Sequence, residues 1–287
     1  MIFVREKGRM CNNLLQYGHV YAWAREHGRR TLSMRFAYKY PYFHIGDTPR
    51  HNFFFYVLGK YLANWKLIPS VSFFEPETTG SREREQQMLR HKTLMVEGWY
   101  VRYYDLFLKY KKEILELFAF KDEVEKAVKE TMMRVEDETR ESSSSSAGVD
   151  ARPILRLGVH IRRGDYKTWM GGRYFYSDEV YLDYIRQFIA LKSDCKVVVY
   201  ICGNDPSLDR SKFEQELASA VVSFPAGNPG EDLCLLSHCD YLIGAPSTFS
   251  LVAAMYRDLP LCWMEEAETV LGEKSFGRFD RLFREIR

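Results

Sequence analysis

Two adjacent arginines at the end of a strand-like run are the residues of this sequence best suited to chemistry. The apolar residues Leu155, Leu157 and Val159 lead into the segment His160-Ile161-Arg162-Arg163-Gly164-Asp165-Tyr166. Strand ends in α/β folds face the ligand crevice. An arginine offers a rigid fork of N–H donors that matches phosphate oxygens in a bidentate manner. The motif therefore predicts a phosphate-binding site at the mouth of a parallel sheet.

Two other interpretations of this motif stay open at this point. A basic pair after a strand is common in solvated turns, and Arg163-Gly164-Asp165 is also a cell-adhesion tripeptide. The adhesion role needs an exposed hairpin tip, whereas this copy follows a strand that the pattern predicts to be buried. The phosphate interpretation gains weight only if a second ligand-binding element lies nearby.

Pro246-Ser247-Thr248-Phe249-Ser250 is a second segment suited to holding a diphosphate. It follows the predicted strand Tyr241–Gly244 and starts a predicted helix that runs to Tyr256. Proline, serine and threonine at a helix start expose backbone amides and side-chain donors. A capped helix without a ligand is the simpler alternative for this segment alone. Beside the two arginines, the segment favours a diphosphate ligand.

Signatures of other nucleotide-binding and metal-dependent classes are missing from the sequence. It has no P-loop and no Gly-x-Gly-x-x-Gly segment, so ATPase and dinucleotide oxidoreductase activities lack support. It has no Asp-x-Asp motif, and arginines can neutralise a diphosphate leaving group without a metal. Cys234, His238 and Cys239 could suggest zinc, but the Leu-Leu-Ser segment among them is typical of a helix face. We therefore expect neither a metal nor a cofactor.

Composition indicates a soluble globular protein. The chain has 287 residues, of which 46% are hydrophobic and 28% charged, enough for one large domain or two. A net charge of +2 argues against a general nucleic-acid or anionic-membrane binder. The sequence shows no membrane span and no signal-peptide pattern, and its six cysteines lack the spacing of a disulfide framework. We expect a cytoplasmic protein with reduced cysteines.

A serine-rich segment divides the chain into two predicted domains. Residues 142–148 cannot bury surface and predict a flexible linker. We place the boundary near residue 150, with an N-terminal α/β domain in residues 1–150 and a second α/β domain in residues 151–287. Strand and helix patterns alternate in the second half, which predicts a doubly wound parallel sheet. The predicted elements of both halves are Ile2–Val4, Leu14–His27, Leu155–His160, Ser177–Lys192, Val197–Ile201, Leu208–Ala220, Val221–Phe224, Glu231–Cys239 and Tyr241–Gly244.

Three segments in the same order resemble the α-1,2-fucosyltransferase family and its wider GDP-fucose-dependent superfamily. Gly8-Arg9-Met10-Cys11-Asn12-Asn13-Leu14-Leu15-Gln16-Tyr17 is similar to the family's Gly-Gly-Leu-Gly-Asn-Gln-x-Phe-Gln-Tyr. The segment from His160 to Tyr166 matches the family's His-x-Arg-Arg-Gly-Asp-Tyr signature, and Asp240 to Ser250 is similar to its C-terminal Asn-Ser-Ser/Thr-Phe-Ser segment. Val96-Glu97-Gly98-Trp99-Tyr100 is similar to the family's middle, so the resemblance covers nearly the whole chain.

The sequence departs from the family pattern in the N-terminal loop and after the C-terminal segment. Cys11 replaces a glycine, Asn13 replaces a glutamine, and Leu251-Val252-Ala253 stands where the family often shows paired tryptophans. These departures affect the prediction of the acceptor and the linkage more than the prediction of the donor.

The resemblance implies a GT-B-like α/β architecture, in which two Rossmann-like domains face a cleft. GDP-fucose would be bound mainly by the second half, where Arg162 would hold the β-phosphate and stabilise the departing GDP. The other donor-binding residues that it implies are His160 and Asp232 near the guanosine, Ser247, Thr248 and Phe249 near the diphosphate, and Arg163 as a structural or supporting contact. The acceptor side of the cleft would be lined by Gly8, Arg9, Asn12 and Asn13.

The implied reaction is a metal-independent, inverting transfer of L-fucose from GDP-fucose to a glycan hydroxyl, α-1,2 to galactose. Asp165 is the first candidate for the general base, ahead of Asp178 and Glu179, with bracing of the arginines as its alternative role. A non-catalytic GDP-binding homologue and a transferase for another sugar nucleotide stay open. A lipid-linked oligosaccharide acceptor would bring the enzyme to the cytoplasmic face of the inner membrane, so peripheral membrane association stays open as well.

Overall fold

The computed structural model describes residues 1–144, 152–203 and 205–286 of the chain. The chain divides into two compact units, Met1–Lys121 and Asp122–Arg287. Each unit is built on one parallel sheet, which is the α/β class that the sequence predicts. None of the described helices has the length and apolar character that a membrane crossing requires.

The unit Met1–Lys121 contains a four-stranded parallel sheet and five α-helices. Its strands are β1 (Ile2–Arg5), β2 (Thr31–Ser33), β3 (Ser70–Ser72) and β4 (Leu94–Glu97). Its helices are α1 (Met10–Glu26), α2 (Phe53–Asn64), α3 (Arg82–Arg90), α4 (Tyr104–Lys109) and α5 (Lys111–Leu117). The strand order is β2-β1-β4-β3, so the first strand of the chain lies in the interior of the sheet.

In the unit Asp122–Arg287, the described residues form a five-stranded parallel sheet and six α-helices. Its strands are β5 (Ile154–Ile161), β6 (Lys196–Gly203), β7 (Val221–Ser223), β8 (Tyr241–Gly244) and β9 (Leu261–Trp263). Its helices are α6 (Asp122–Ser144), α7 (Asp178–Leu191), α8 (Arg210–Glu216), α9 (Pro229–Ser237), α10 (Thr248–Arg257) and α11 (Phe279–Glu285). The strand order is β7-β6-β5-β8-β9, which confirms the predicted doubly wound sheet.

Strand β5 lies at the centre of this second sheet and is packed on both sides. Leu157, Val159 and Ile161 have no exposed surface. A Cβ on Gly158 would lie 2.7 Å from side-chain atoms of both Leu236 and Leu242, so the close packing there requires glycine. A strand covered on both faces is rigid, and the residues that follow it therefore start from a fixed position.

The structure divides the chain after Lys121, whereas we expected a boundary near residue 150. The difference arises because α6 packs on the second unit. Glu136 of α6 accepts a hydrogen bond from Arg156 Nε at 2.6 Å, and the Thr139 carbonyl accepts one from Lys196 Nζ at 2.6 Å. The predicted linker begins inside this helix at Ser142, and the rest of it lies outside the described residues.

Candidate active site

The two predicted phosphate-binding segments follow neighbouring strands of the second sheet. His160 of β5 is paired in register with Gly244 of β8, so the residues after both strands emerge at the same sheet edge. A Cβ on Gly244 would lie 2.8 Å from the His160 carbonyl oxygen, a separation that only glycine allows. The Tyr166 hydroxyl donates a hydrogen bond to the Pro246 carbonyl and so ties the two segments together. The structure thus brings together the segments that the sequence singled out.

His160 forms a fixed contact with the start of α10. Its ring stacks on Phe249 with centroids 4.7 Å apart, and its Nδ1 lies 3.3 Å from Ser247 Oγ. Ser247 Oγ also accepts a hydrogen bond from the Ser250 amide and caps α10. Burial, aided by the nearby Arg162 charge, lowers the pKa of His160 to about 3. His160 is therefore a neutral imidazole at physiological pH.

Arg162 presents its guanidinium fork at this edge. Its Nε and Nη2 donate hydrogen bonds to the two carboxylate oxygens of Asp165 at 3.1 Å and 3.0 Å. Its Cζ lies 5.3 Å from the centroid of the Tyr166 ring. The Asp165 side chain is 48% exposed, so the fork is held by a solvated carboxylate at the surface. A carboxylate in this position takes the place that a phosphate oxygen pair would take.

Arg163 has a different environment from its neighbour. Its side chain is buried, and Nε donates to the Tyr176 carbonyl at 3.0 Å. Nη1 donates to Asp205 at 3.1 Å, and Nη2 donates to Asp178. Each guanidinium nitrogen already has a protein partner, an environment that fits the structural role implied for Arg163 rather than a contact with the donor. Arg163 instead ties the loop after β5 to the starts of two neighbouring segments.

The three carboxylates put forward as general bases are all paired in the structure. Asp178 is committed to the buried Arg163, which removes it from the role of base. Glu179 forms a surface ion pair with Lys212. Asp165 is held by Arg162 but remains solvated, so of the three it is the one that a ligand could release.

Asp232 lies in the first turn of α9 and is half-buried. Desolvation, with a smaller contribution from Glu231, raises its pKa to about 7. Its charge also contributes to the raised pKa of Cys202, which is paired in register with His160 near the end of β6. Within the described residues, no hydrogen bond or ion pair stabilises the Asp232 carboxylate. It is a desolvated acceptor suited to a ligand that carries N–H groups.

The N-terminal loop between β1 and α1 is held by one side chain. Gln16 Nε2 donates to the carbonyls of Lys7 at 2.6 Å and Asn12 at 3.0 Å, and its Oε1 accepts from the Lys7 amide at 3.0 Å. Gly8 has a φ of +91°, and a Cβ there would lie 2.6 Å from Asn12 Nδ2. Gly8 and Arg9 are exposed, and Asn12 is half-buried. These three residues form an ordered polar surface of the first unit.

Asn13 does not belong to that surface. It is 0% exposed, and neither atom of its side-chain amide has a hydrogen-bond partner among the described residues. The burial contradicts the expectation that Asn13 lines an acceptor surface. The reason is that α1 begins at Met10 and is buried almost all round, so position 13 lies inside the unit.

Glu6, directly after β1, is a buried carboxyl that sequence reasoning missed. Its Oε1 accepts a hydrogen bond from Ser33 Oγ and its Oε2 one from the Arg35 amide at 3.1 Å. Burial raises its pKa to about 8, so the group is largely protonated at neutral pH. The only signal in the sequence is the charged triplet Arg5-Glu6-Lys7, which does not indicate which of its members is enclosed.

A group of potential metal ligands lies where α6 meets α9. The side chains of Glu125, Cys234 and His238 have ligand atoms within 4.8 Å of one another, and His238 Nε2 lies 3.3 Å from Glu125 Oε2. Burial raises the pKa of the Cys234 thiol, which disfavours the thiolate that binds metals. Cys239 is outside the group, and its Sγ donates to the Leu235 carbonyl. Whether the reaction requires a metal is a separate question, and the metal-independent reaction stays a prediction.

Comparisons with known proteins indicate one family. The model of glycosyl transferase family 11 matches residues 82–258. The chain is 23% identical to the galactoside 2-alpha-L-fucosyltransferase Sec1 of Mus musculus, covering 88% of this chain and 64% of that protein. It is 25% identical to the galactoside alpha-(1,2)-fucosyltransferase 1 of Oryctolagus cuniculus, covering 88% of this chain and 62% of that protein. The chain therefore spans slightly less than two thirds of the length of these relatives.

Two solved structures share the fold. A mutant of Arabidopsis thaliana FUT1 in complex with GDP superposes with a TM-score of 0.55 at 13% identity, over 96% of this chain and 73% of that one. POFUT1 in complex with GDP-fucose superposes with a TM-score of 0.57 at 12% identity, over 90% of this chain and 95% of that one. The likeness confirms the expected GT-B-like fold class.

Proposed function

The chain belongs to glycosyl transferase family 11, and we propose that it transfers L-fucose from GDP-fucose to a hydroxyl of a glycan acceptor. The observation that carries the proposal is the guanidinium fork of Arg162 at the carboxyl ends of β5 and β8, beside the start of α10. A diphosphate placed there would meet a charged fork and a helix N-terminus together.

Recognition of the guanine base is assigned in this proposal to Asp232. The guanine edge carries N1–H and the exocyclic amino group side by side, and one carboxylate accepts a hydrogen bond from each. Uracil offers a single N–H flanked by two carbonyl oxygens, which a carboxylate would repel. The desolvated Asp232 carboxylate therefore supports GDP over UDP as the nucleotide.

Stabilisation of the leaving group is assigned to Arg162. As the bond between the anomeric carbon and the β-phosphate oxygen breaks, negative charge grows on the diphosphate, where the fork would contact it. In an inverting single displacement, the acceptor oxygen attacks from the opposite face and its hydroxyl proton leaves to a base. The positive charge of Arg162 supports a reaction that needs no metal.

Asp165 has two successive roles in this proposal. In the free enzyme it orients the Arg162 fork through both carboxylate oxygens. When a diphosphate takes over the fork, the carboxylate is no longer paired with Arg162, and it is the group proposed to take the acceptor proton. A variant that keeps the geometry but not the charge, Asp165→Asn, separates these roles because it removes the base and keeps one hydrogen bond to Arg162.

The acceptor is proposed to be a glycan that ends in galactose, linked α-1,2. The activities named for the Mus musculus and Oryctolagus cuniculus relatives support it, and the ordered loop of Gly8, Arg9 and Asn12 is proposed as the acceptor-side surface. The linkage analysis of a fucosylated product tests this part. A different linkage would exclude the α-1,2 assignment without affecting the donor.

Titration calorimetry with GDP, UDP and ADP tests the donor assignment directly. We expect GDP to bind at least tenfold more tightly than UDP, and the preference to be lost in Asp232→Asn. Equal affinity for GDP and UDP in the wild type would exclude GDP-fucose as the specific donor. Tight GDP binding with no turnover on any acceptor would indicate the non-catalytic GDP-binding homologue instead.

A further inference from the structure

One surface of the unit Met1–Lys121 is apolar where solvent-facing helices are normally polar. The inner side of α2 packs against a small core formed by β-sheet residues, and Gly59 lies close to Phe3 of β1. The outer side carries Phe54, Leu58, Tyr61 and Trp65, all exposed, at spacings of four, three and four residues. This spacing places the four side chains in one stripe along the helix. The helix is thus apolar on its buried side and also on its exposed side.

The stripe continues into the residues on either side of it. Phe53 precedes it and Leu67 follows it, and both are exposed. Phe54 is 70% exposed and Trp65 is 68% exposed, values at which a large aromatic ring faces water. We call the six side chains the α2 face: Phe53, Phe54, Leu58, Tyr61, Trp65 and Leu67. A contiguous exposed apolar patch of this kind marks an interaction site.

The segment that carries the α2 face is basic, although the acidic residues Asp47 and Glu75 directly flank it. From Thr48 to Phe74 the sequence contains Arg50, Lys60 and Lys66 and no aspartate or glutamate. All three cations are exposed. The chain's net charge of +2 is an average, and it conceals a segment that is apolar, aromatic and locally basic. Our expectation from net charge that the protein avoids anionic membranes does not extend to this segment.

Charge complementarity favours an anionic bilayer over a second copy of this chain as the partner that covers the α2 face. A symmetric dimer formed through the α2 face would bring Lys60 and Lys66 of one copy towards the same lysines of the other, which is unfavourable. An anionic bilayer instead offers apolar depth for the rings and negative headgroups for the cations. Tryptophan and tyrosine are enriched at this depth because they have an apolar body and a polar tip.

We propose that the α2 face docks the protein on an anionic lipid bilayer, with α2 lying in the plane of the interface. The aromatic stripe enters the boundary between headgroups and acyl chains, and Lys60 and Lys66 lie against the headgroups. The proposal is independent of the transfer reaction, since docking requires neither the donor nor the acceptor. A failed docking test would therefore leave the proposed transfer reaction unaffected, and a failed transfer assay would leave the docking proposal unaffected.

Co-sedimentation with phospholipid vesicles tests the docking. The wild type is mixed with vesicles of phosphatidylcholine alone or of equal parts phosphatidylcholine and phosphatidylglycerol. We expect binding to the mixed vesicles that weakens with added salt, because headgroup attraction is screened. The double variant F54S/W65S should lower the partition coefficient at least tenfold. The double variant K60E/K66E should abolish the preference for phosphatidylglycerol.

Matched control variants replace exposed apolar residues and exposed cations that lie on α3 and α6, outside the α2 face. Leu89 on α3 and Met133 on α6 are exposed apolar residues, and Lys126 and Lys129 on α6 are exposed cations. The variants L89S/M133S and K126E/K129E should bind vesicles as the wild type does. Absence of wild-type binding to the mixed vesicles, or an equal loss in the control variants, would overturn the proposal. Sedimentation velocity showing a dimer that F54S/W65S dissociates would also overturn it, because a second copy would then cover the face.

A second readout avoids dependence on the serine variants. Lipids brominated on the acyl chains should quench wild-type tryptophan fluorescence, and the conservative W65F variant should lose that quenching while still binding vesicles. Quenching that persists unchanged in W65F would show that Trp65 is not in the bilayer and would contradict the orientation of α2.

Discussion

Arg162 donates two hydrogen bonds to the carboxylate of Asp165, three residues later in the chain. Because the Asp165 side chain is 48% exposed, solvent screens the pair and its contribution to stability is small, so a more highly charged ligand can replace the carboxylate at small cost. The adjacent Arg163 is buried between Asp178 and Asp205, where replacement would leave desolvated charges unpaired. Two neighbouring arginines of one motif thus differ in environment: Arg162, which we propose binds the ligand, has a solvated partner, and Arg163 is a buried positioning group.

Replacing Arg162 should affect the reaction and leave the fold intact. We expect Arg162→Ala to lower kcat by about 10²–10³-fold, the cost of removing one preorganised transition-state donor. Arg162→Lys should remain poor, because an ammonium lacks the fork. The unfolding temperature should change little. Steady-state kinetics and thermal unfolding measure both, and Arg173→Ala, which removes a surface pair with Glu266, is the matched control. Near-normal turnover of Arg162→Ala would refute its role.

Replacing Arg163 should affect the fold first. Arg163→Ala leaves Asp178 and Asp205 without their cation, and we expect it to lower the free energy of unfolding by about 3–5 kcal/mol. Arg186→Ala, which removes an exposed pair with Glu216, should cost less than about 1 kcal/mol. Urea denaturation measures both variants. A stable Arg163→Ala variant that no longer binds GDP would instead assign Arg163 to the donor.

GDP affinity should depend on pH through Asp232. The ionised carboxylate is the form that accepts the guanine N–H groups, and the pKa of Asp232 in the free protein is about 7. Affinity should therefore be highest above pH 7 and fall up to tenfold for each pH unit below it. Calorimetry across this range should show the dependence in the wild type and not in Asp232→Asn, whose affinity is uniformly low. A wild-type affinity that does not change between about pH 5 and pH 8 would contradict this assignment.

The buried Glu6 should make the fold less stable as pH rises. Its pKa is about 8 in the folded protein against an ordinary value of 4.5, so between these values the folded chain holds a proton that the unfolded chain has released. The free energy of unfolding should then fall by up to about 1.4 kcal/mol per pH unit in that range. Glu6→Gln resembles the protonated carboxyl and should flatten the curve, relative to wild type, in urea titrations from about pH 5 to pH 8. An identical pH slope in the two proteins would show that Glu6 is ionised throughout.

Much of the second unit could be predicted because its signals are local. The continuous apolar run Val197–Ile201 predicts a buried parallel strand, and the structure has β6 there. The pairing of β5 with β8 then brings Arg162 and Ser247 to one edge, as strand ends in a parallel sheet require. The different roles of Arg162 and Arg163 were implied only by the family resemblance. The partners that hold Arg163, Asp178 and Asp205, could not be predicted, because they approach it only in the folded chain.

The first unit was harder to predict because burial there does not follow polarity. Asn13 and Glu6 are polar and fully enclosed, whereas Phe54 and Trp65 are aromatic and face solvent. The aromatic run from Phe53 to Phe74 is ambiguous in the sequence for the same reason, since a helix that is apolar all round lacks the periodicity of a surface helix. The structure resolves this run into α2 and β3.

The central claim is tested most directly by measuring GDP release from GDP-fucose with and without galactose-terminated oligosaccharides, in wild type and Arg162→Ala. We predict release that the acceptor stimulates in the wild type and that falls by about 10²–10³-fold in the variant. A wild-type enzyme that binds GDP and releases none from GDP-fucose, with any galactose-terminated acceptor, would contradict the proposed transfer.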